Sequence, residues 1–170
     1  TVTAFAAPPV VNYPTCVTAT HDGVVFVCVD RNGSLQADQG MGYVVRLVDR
    51  DRNGQADEYS VFATMDSPRG AVFDGETLFV SHPPFVTAFR DTNADGVSDE
   101  RRPLVRGLGF GLDLRGADHT TNGLEMGIEG GICVDRVDER HDTVKPVRGG
   151  QRGMPHYRLQ HGRRVGKARG

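Results

Sequence analysis

Two nine-residue segments of the chain carry oxygen-bearing side chains at the same spacing. Positions 1, 3, 5 and 9 are Asp49, Asp51, Asn53 and Asp57 in the first segment and Asp91, Asn93, Asp95 and Asp99 in the second. Position 6 is glycine in both segments, which permits a sharp turn. Alternate residues of a tight loop point inward together, and Ca²⁺ takes about six to eight such hard oxygen ligands. The spacing therefore predicts two calcium-binding loops.

The same segments have a second interpretation, as ordinary turns. Position 12, where an EF-hand loop has a bidentate Glu, is Ser60 in one segment and Arg102 in the other. This difference excludes an EF-hand and lowers the expected affinity for Ca²⁺. Clusters of Asp, Asn and Gly also form turns between strands without any metal ion. The sequence is consistent with both interpretations.

A further segment, residues 115–124, contains a histidine among small polar residues. A neutral His119 could accept a proton from a hydroxyl group, and Asp118 or Asn122 could fix the tautomer of its ring. The alternative is a loop histidine that only hydrogen-bonds to the backbone. Arg69 stands at the equivalent place of the preceding repeat. It could hold an anion through two parallel hydrogen bonds or pair with an acidic neighbour.

An internal repeat indicates which elements must position these residues. Acidic-Gly turns precede three short apolar runs centred on Phe26, Phe79 and Ile132, each 53 residues from the next. A period near 50 residues with several short strands per repeat is typical of a β-propeller, in which each repeat is a four-stranded blade. Three repeats are too few to close a ring. We therefore expect an all-β fold, a partial β-propeller of about two and a half to three blades.

The apolar runs also predict individual strands. These are Cys16–Thr20, Tyr43–Val48, Tyr59–Ala63, Gly70–Phe73, Phe85–Arg90 and Gly123–Gly127. A Gly- and Asp-rich insertion at Arg31–Gly42 lengthens the first repeat. We expect the partial propeller to occupy residues 1–133 and a basic, poorly ordered tail to occupy residues 134–170, because core-forming side chains become rare there.

Charge and hydropathy exclude two classes of function. Residues 134–170 hold ten of the 20 basic residues and four of the 22 acidic residues. No aromatic side chain alternates with the charges of residues 163–169, so we expect no nucleic-acid partner. The longest apolar run, Val24–Val29, has six residues, whereas a transmembrane helix needs about 20. The sequence thus predicts no transmembrane segment.

The three cysteines show no metal-binding pattern. Cys16, Cys28 and Cys133 lack the CxxC spacing of zinc sites and the CxxCH spacing of c-type haem attachment. Cys16 and Cys28 could pair in an oxidising compartment, or both could be small buried thiols. The sequence leaves these two alternatives open.

Several motifs resemble a known family. The chain resembles the N-terminal propeller of the membrane-bound dehydrogenases of planctomycetes, which are also described as PVC-type haem-binding CxxCH proteins. The motifs that carry the resemblance are residues 65–70, 81–85, 107–110 and 115–123. That family is in turn similar to the soluble sugar dehydrogenases that bind pyrroloquinoline quinone (PQQ) and calcium in a six-bladed propeller. The resemblance covers residues 4–133.

The resemblance implies a reaction and a set of site residues. It implies that His119 is the catalytic base, that PQQ is the cofactor and that a sugar or another alcohol is the substrate. The Lys and Arg residues that clamp the cofactor in the quinoproteins come from later blades. Within this chain we expect Asp118 to assist His119, and Arg69, Arg115 and Asn122 to contact the cofactor. The location implied is extracytoplasmic, either periplasmic or secreted.

The chain departs from the family pattern after Cys133, where an unrelated basic tail begins. A truncated or frame-shifted gene would produce such a break. The later blades and the CxxCH haem motif of the family are missing from this sequence. We therefore expect a fragment of a quinoprotein-like dehydrogenase propeller that is inactive without the remaining blades of its parent. The alternative is a non-catalytic, calcium-stabilised propeller that acts as a binding module of a secreted or cell-surface protein.

Overall fold

Antiparallel strands form nearly all of the regular structure. The computed structural model describes residues 2–33, 36–108, 123–127 and 131–134, together with the backbone of residues 145–146 and 160–161. These residues form twelve strands and no helix, so the described part of the chain is all-β, as predicted. It accordingly contains no helical segment that could cross a lipid bilayer.

The first sheet is a meander in which each strand pairs with the next. Its strands, in spatial order, are β1 (Pro14–Ala19), β2 (Val25–Asp30), β3 (Gly42–Val48) and β4 (Glu58–Met65). Valine and aromatic residues are frequent in them, and such residues pack well on a pleated surface. The tight turn between β1 and β2 contains Gly23 at a φ of 95°, a conformation that glycine adopts without steric cost.

The second sheet repeats this meander. Its strands are β5 (Gly70–Asp74), β6 (Thr77–His82), β7 (Phe85–Arg90) and β8 (Glu100–Arg106). The register shifts at equivalent places in the two sheets, between Val44 and Val45 on β3 and between Val86 and Thr87 on β7. The repeat seen in the sequence is therefore a repeat of strand order and of β-bulge position.

A third sheet begins with β9 (Leu124–Met126) and β10 (Ile132–Val134), which are antiparallel. Two short strands follow later in the chain, where the sequence predicted none. β11 (Lys145–Pro146) pairs with β8, and β12 (Gln160–His161) pairs with β10 in parallel. Both continue a sheet at a strand whose backbone groups would otherwise lack partners.

The six predicted strands are confirmed to within two residues at each end. The predicted insertion is confirmed as well, because residues 31–41 connect β2 to β3 whereas only Pro83 and Pro84 connect β6 to β7. Strand β8 was not predicted. Most of residues 134–170, which the sequence predicted to be a poorly ordered tail, lies outside the described residues.

The core lies between the sheets, which stack in chain order. Phe26 of the first sheet stacks on Phe73 of the second at 5.5 Å between ring centroids and meets Phe62 edge-on at 4.9 Å. On the other face of the second sheet, Phe79 and its neighbours form one buried cluster with Leu124 and Ile132 of the third sheet. Each sheet thus covers one face of the next, which a single sheet of this kind could not bury alone.

The remaining face of the first sheet is covered by the N-terminal segment. Phe5, Val10 and Val11 pack against the apolar side chains of β2 and β3 on that face. The backbone carbonyl of Phe5 accepts a hydrogen bond of 2.9 Å from the N–H of Ala56. This segment therefore shields the middle strands and leaves the side chains of the edge strand β4 more exposed, with Tyr59 61% accessible.

Candidate functional site

The two acidic segments occupy equivalent connections in the two sheets. Residues 49–57, the first acidic loop, join β3 to β4, and residues 91–99, the second acidic loop, join β7 to β8. Each loop is closed by a backbone hydrogen bond at its base, from Asp57 N to Val48 O at 2.9 Å and from Asp99 N to Arg90 O at 3.0 Å. The two predicted sites thus lie at equivalent ends of equivalent strand pairs, β3–β4 and β7–β8.

The carboxylates organise the two loops in the same way. In each loop the first Asp accepts hydrogen bonds from the backbone N–H groups of the fifth and sixth residues, at 3.1 and 2.8 Å for Asp49 and at 3.2 and 2.8 Å for Asp91. The ninth residue accepts from the N–H of the second, at 2.8 Å for Asp57 and 3.1 Å for Asp99. The loops therefore share one conformation although their sequences differ.

Backbone dihedral angles show the same duplication. The fourth residue has a positive φ in both loops, 58° at Arg52 and 61° at Ala94, and the sixth has φ near 90°, with 88° at Gly54 and 87° at Gly96. Two such residues in one short loop bend the chain sharply, and the second of them favours glycine. This bend turns the side chains of alternate residues toward one side of each loop.

In the first acidic loop the bend gathers three carboxylates. Asp49, Asp51 and Asp57 each have an oxygen atom within 4.8 Å of the others. In the second loop the third position is the amide Asn93 and the fifth is the carboxylate Asp95, so the two loops offer the same number of acidic groups in a different order. Closely spaced carboxylate and amide oxygens are the donor set that Ca²⁺ prefers.

Neighbouring groups lower the pKa of one loop carboxylate, Asp99, and an acidic residue on β4 pairs with the arginine of the first loop. The Thr92 hydroxyl donates a hydrogen bond of 2.8 Å to Asp99 and, together with backbone N–H groups, lowers the pKa of Asp99. Arg50 lies within the first loop, but its Nε–H donates to Glu58 on β4 at 2.8 Å. That contact lowers the pKa of Glu58. The arginine charge is therefore engaged by Glu58 and not by the three clustered carboxylates.

A buried polar cluster lies where the first and second sheets meet. Arg69 donates a hydrogen bond of 2.7 Å to Asp30, and the Asp30 side chain is fully buried. The structure thus pairs Arg69 with an acidic neighbour, one of the two roles predicted for it. Three further atoms of this cluster are buried without a hydrogen-bond partner among the described residues, namely Arg69 Nε, Ser67 Oγ and Ser81 Oγ.

The remaining predicted site residues fall outside the described part of the chain. These are Arg115, Asp118, His119 and Asn122. The chain re-enters the described part at Gly123, whose backbone N–H donates to the carbonyl of Arg69 at 3.2 Å. The residue that follows Asn122 is therefore anchored beside the buried polar cluster.

Sequence reasoning overlooked the other members of this cluster. Asp30 ends an apolar strand, and Ser67 and Ser81 are single small polar residues near strand ends. Their burial results from the stacking of two sheets and leaves little signal in the local sequence. The one available signal was Asp30 itself, because a charged residue that continues an apolar run needs a partner.

His82, to which the sequence assigned no chemical role, is also buried. His82 Nε2 lies 2.7 Å from the Thr87 hydroxyl across the β6–β7 hairpin. Burial, with a smaller contribution from the charge of Arg101, lowers the pKa of His82 to about 4. His82 is the last residue of β6 and precedes the two prolines that lead to β7. Here Pro83 and Pro84 form the connection between the two strands.

Comparison with known proteins gives one family assignment. Neither the curated proteins nor the solved structures contain a match to this chain. The model of the family described as "Domain of unknown function (DUF7133)" matches residues 1–163, and therefore spans both acidic loops, the buried polar cluster and the segment around His119. The chain belongs to this family.

Proposed function

We propose that this chain forms two blades and part of a third blade of a β-propeller. Support comes from two four-stranded meanders with the same strand order and the same bulge position, followed by a third sheet that begins in the same way. The apolar clusters on both faces of the second sheet add to this support, because propeller blades bury their faces against the neighbouring blades.

Within this propeller, each acidic loop binds one Ca²⁺ ion, and the ions stabilise the blades of a binding module. The observation that carries this proposal is the duplicated conformation of two loops whose sequences differ. In the first loop, three carboxylates lie within 4.8 Å of one another, and their mutual repulsion is offset when a cation binds between them. Asp49, Asp51, Asn53 and Asp57 would hold one ion, and Asp91, Asn93, Asp95 and Asp99 the other.

A calcium titration followed by thermal unfolding tests this proposal. We expect saturating Ca²⁺ to raise Tm by at least about 3 °C, because a ligand that binds only the folded state stabilises it. Asp49→Ala and Asp91→Ala should each lose part of this increment, and the double variant should lose all of it. The quantity to compare is the rise in Tm on adding Ca²⁺ and not Tm itself, because both side chains also accept hydrogen bonds from the loop backbone without a metal ion.

Asp22→Ala is the matched control, because Asp22 is an exposed acidic turn residue that contacts Thr20 outside both loops. It should retain the full calcium increment. If Ca²⁺ raised Tm by the same amount in the double variant as in the wild type, or did not raise the Tm of the wild type, the loops would instead be plain turns.

A second candidate function is the oxidation of a sugar or another alcohol by a quinoprotein-like dehydrogenase. The contact between Gly123 and Arg69 favours it, because it anchors the end of the His119 segment beside polar groups that have no hydrogen-bond partner within the described part of the chain. Guanidinium and hydroxyl groups such as those of Arg69, Ser67 and Ser81 are the kinds of donor that bind carboxylates, which PQQ carries. When bound, PQQ supplies a two-electron oxidant that takes a hydride from an alcohol carbon.

In this second proposal the protein's own residues hold the cofactor and move the proton. His119 would accept the hydroxyl proton of the substrate, and Asp118 would fix the tautomer of its ring. Arg115 and Asn122 would add contacts to the cofactor. The extracytoplasmic location and the dependence on further blades of a parent protein belong to the same proposal.

Dye reduction by a protein that carries all of its blades tests this function. With added PQQ, Ca²⁺ and glucose or a simple alcohol, we expect turnover that falls by about 100-fold or more in His119→Ala, since a general base contributes at least that much. His21→Ala is the control and should retain full activity, because His21 lies in the exposed β1–β2 turn. Equal activity of His119→Ala and His21→Ala would show that His119 is not the catalytic base.

A further inference from the structure

Cys16 and Cys28 lie directly opposite each other on β1 and β2 of the first sheet. Residues that face each other across an antiparallel pair have Cα atoms about 4.5 or 5.5 Å apart. Both separations fall within the range of about 4.4–6.8 Å found for disulfides. Both side chains belong to the apolar layer between the first and second sheets. The strand register, which shifts between Pro14 and Cys16, thus places the two Cα atoms within the range that a disulfide spans.

The two thiols differ in environment. Cys28 is completely buried, whereas Cys16 is partly exposed. A hydrogen bond from the Cys28 thiol lowers the pKa of Cys16, and the nearby charge of Arg69 acts in the same direction. The same thiol contact and burial raise the pKa of Cys28. Cys16 is therefore the more accessible and more acidic member of the pair.

We propose that Cys16 and Cys28 form a cross-strand disulfide that ties β1 to β2 when the folded protein meets a disulfide oxidant. The Cys16 thiolate attacks the oxidant RSSR, forms a mixed disulfide and releases one thiolate RS⁻. Cys28 then gives up its proton and attacks the Cys16 sulfur, which releases the second RS⁻. Two protein thiols are oxidised to one disulfide while RSSR is reduced to two thiols.

The bond would anchor the edge strand of the first sheet. β1 pairs with β2 on one side only within its sheet, and Val17 at its centre is 66% exposed. An edge strand held by few contacts opens more readily than a central strand.

The pair can be tested in a single peptide. No Lys or Arg occurs between Thr1 and Arg31, so trypsin leaves both cysteines in one fragment, whereas Cys133 lies in another. The folded chain is treated with oxidised glutathione, then unfolded in urea, alkylated with iodoacetamide and digested with trypsin. We expect this fragment to carry no alkyl group and to be two hydrogen atoms lighter than the dithiol form. Reduction before alkylation should restore two alkylation sites.

Two results would overturn the proposal. One is a fragment alkylated at both cysteines after oxidation, and the other is a fragment with glutathione on Cys16 and an alkylated Cys28. The melting temperature provides a second measurement. The oxidised protein should melt about 5 °C above the reduced one, and Cys28→Ala should show no such difference. A lower melting temperature after oxidation would also contradict the proposal, because the bond would then fit the native register poorly.

Discussion

His82 is a histidine that the packing around it holds in the neutral form. Its side chain is only 4% exposed, and its Nε2 atom contacts the Thr87 hydroxyl. Desolvation disfavours the imidazolium ion, and the charge of Arg101 adds to this effect. The pKa of His82 is therefore lowered from 6.5 to about 4 in the folded chain.

This pKa shift predicts a loss of stability in mild acid. As the pH falls below about 6.5, the unfolded chain binds a proton at His82 before the folded chain does. The free energy of unfolding should therefore fall by about 3 kcal/mol between pH 6.5 and 4 because of this group. Urea denaturation followed by circular dichroism at several pH values measures it.

His82→Gln provides the comparison, because Gln is neutral throughout this range and can still hydrogen-bond to Thr87. Its free energy of unfolding should depend less steeply on pH between 6.5 and 4, whereas the exposed His21→Gln control should match the wild-type curve. Parallel curves for the wild type and His82→Gln would contradict the prediction.

At the level of residues, the sequence predicted the contents of the acidic loops better than those of the buried polar cluster. The pattern of oxygen-bearing side chains in residues 49–57 is local, so spacing alone predicts which of them turn to the same side of the loop. Asp30 and Arg69 are 39 residues apart in the chain, and their contact depends on how two sheets stack. Spacing in the sequence carries no information about such a contact.

Among the elements, β5 lies very close to the third sheet at its first residue. Gly70 lies at its start, and a Cβ atom there would be 2.6 Å from the backbone of both Gly123 and Leu124. Real Cβ atoms do not approach backbone atoms so closely, so only glycine fits without movement of the chain. The second and third sheets can therefore pack at this distance because residue 70 has no side chain.

Gly70→Ala should consequently separate these sheets and destabilise the fold. We expect it to lower the free energy of unfolding by about 1–3 kcal/mol, the usual cost of overpacking. Gly127→Ala is the control, because the added methyl group would lie 3.3 Å from the Gly131 carbonyl oxygen and requires only a small adjustment. Urea denaturation of the two variants measures the difference, and equal effects would argue against the proposed steric cause.

Strand β8 shows why one element could not be predicted. It begins with charged residues and contains Pro103, a composition that disfavours a strand by local propensity. It forms nevertheless because β7 offers a free row of backbone groups. Pro103 is tolerated because it pairs with Thr87, next to the register shift. Pairing with a neighbour thus overrides the preference of the segment.

In the molecule as a whole, polar contacts join the first and second sheets in addition to the apolar core. The Thr15 hydroxyl on β1 donates to the Pro68 carbonyl at 2.7 Å. Asp30, at the end of β2, accepts from Arg69 and from the N–H of Asn32. Because the Asp30 carboxylate is fully buried, its charge depends on these partners for compensation.

Removal of one partner of this pair should therefore be costly. Arg69→Met is expected to lower the free energy of unfolding by about 3–5 kcal/mol, since it leaves Asp30 buried and unpaired. Arg50→Met removes the exposed partner of Glu58 and should cost less than about 1 kcal/mol. Urea denaturation measures both values. The double variant Asp30→Asn, Arg69→Met should recover part of the free energy of unfolding that Arg69→Met loses. A similar cost in Arg69→Met and Arg50→Met would contradict the importance of the buried pair.

The sequence by itself determined the all-β class, the strands with strong apolar runs and the two acidic loops. These features depend on local propensity and on spacing over a few residues, which can be read along the chain. Only the tertiary structure decided that Arg69 pairs with Asp30, that Cys16 faces Cys28, that His82 is neutral and that β8 is a strand. Each of these depends on residues brought together by strand pairing and sheet stacking, where burial and close contact set the energy.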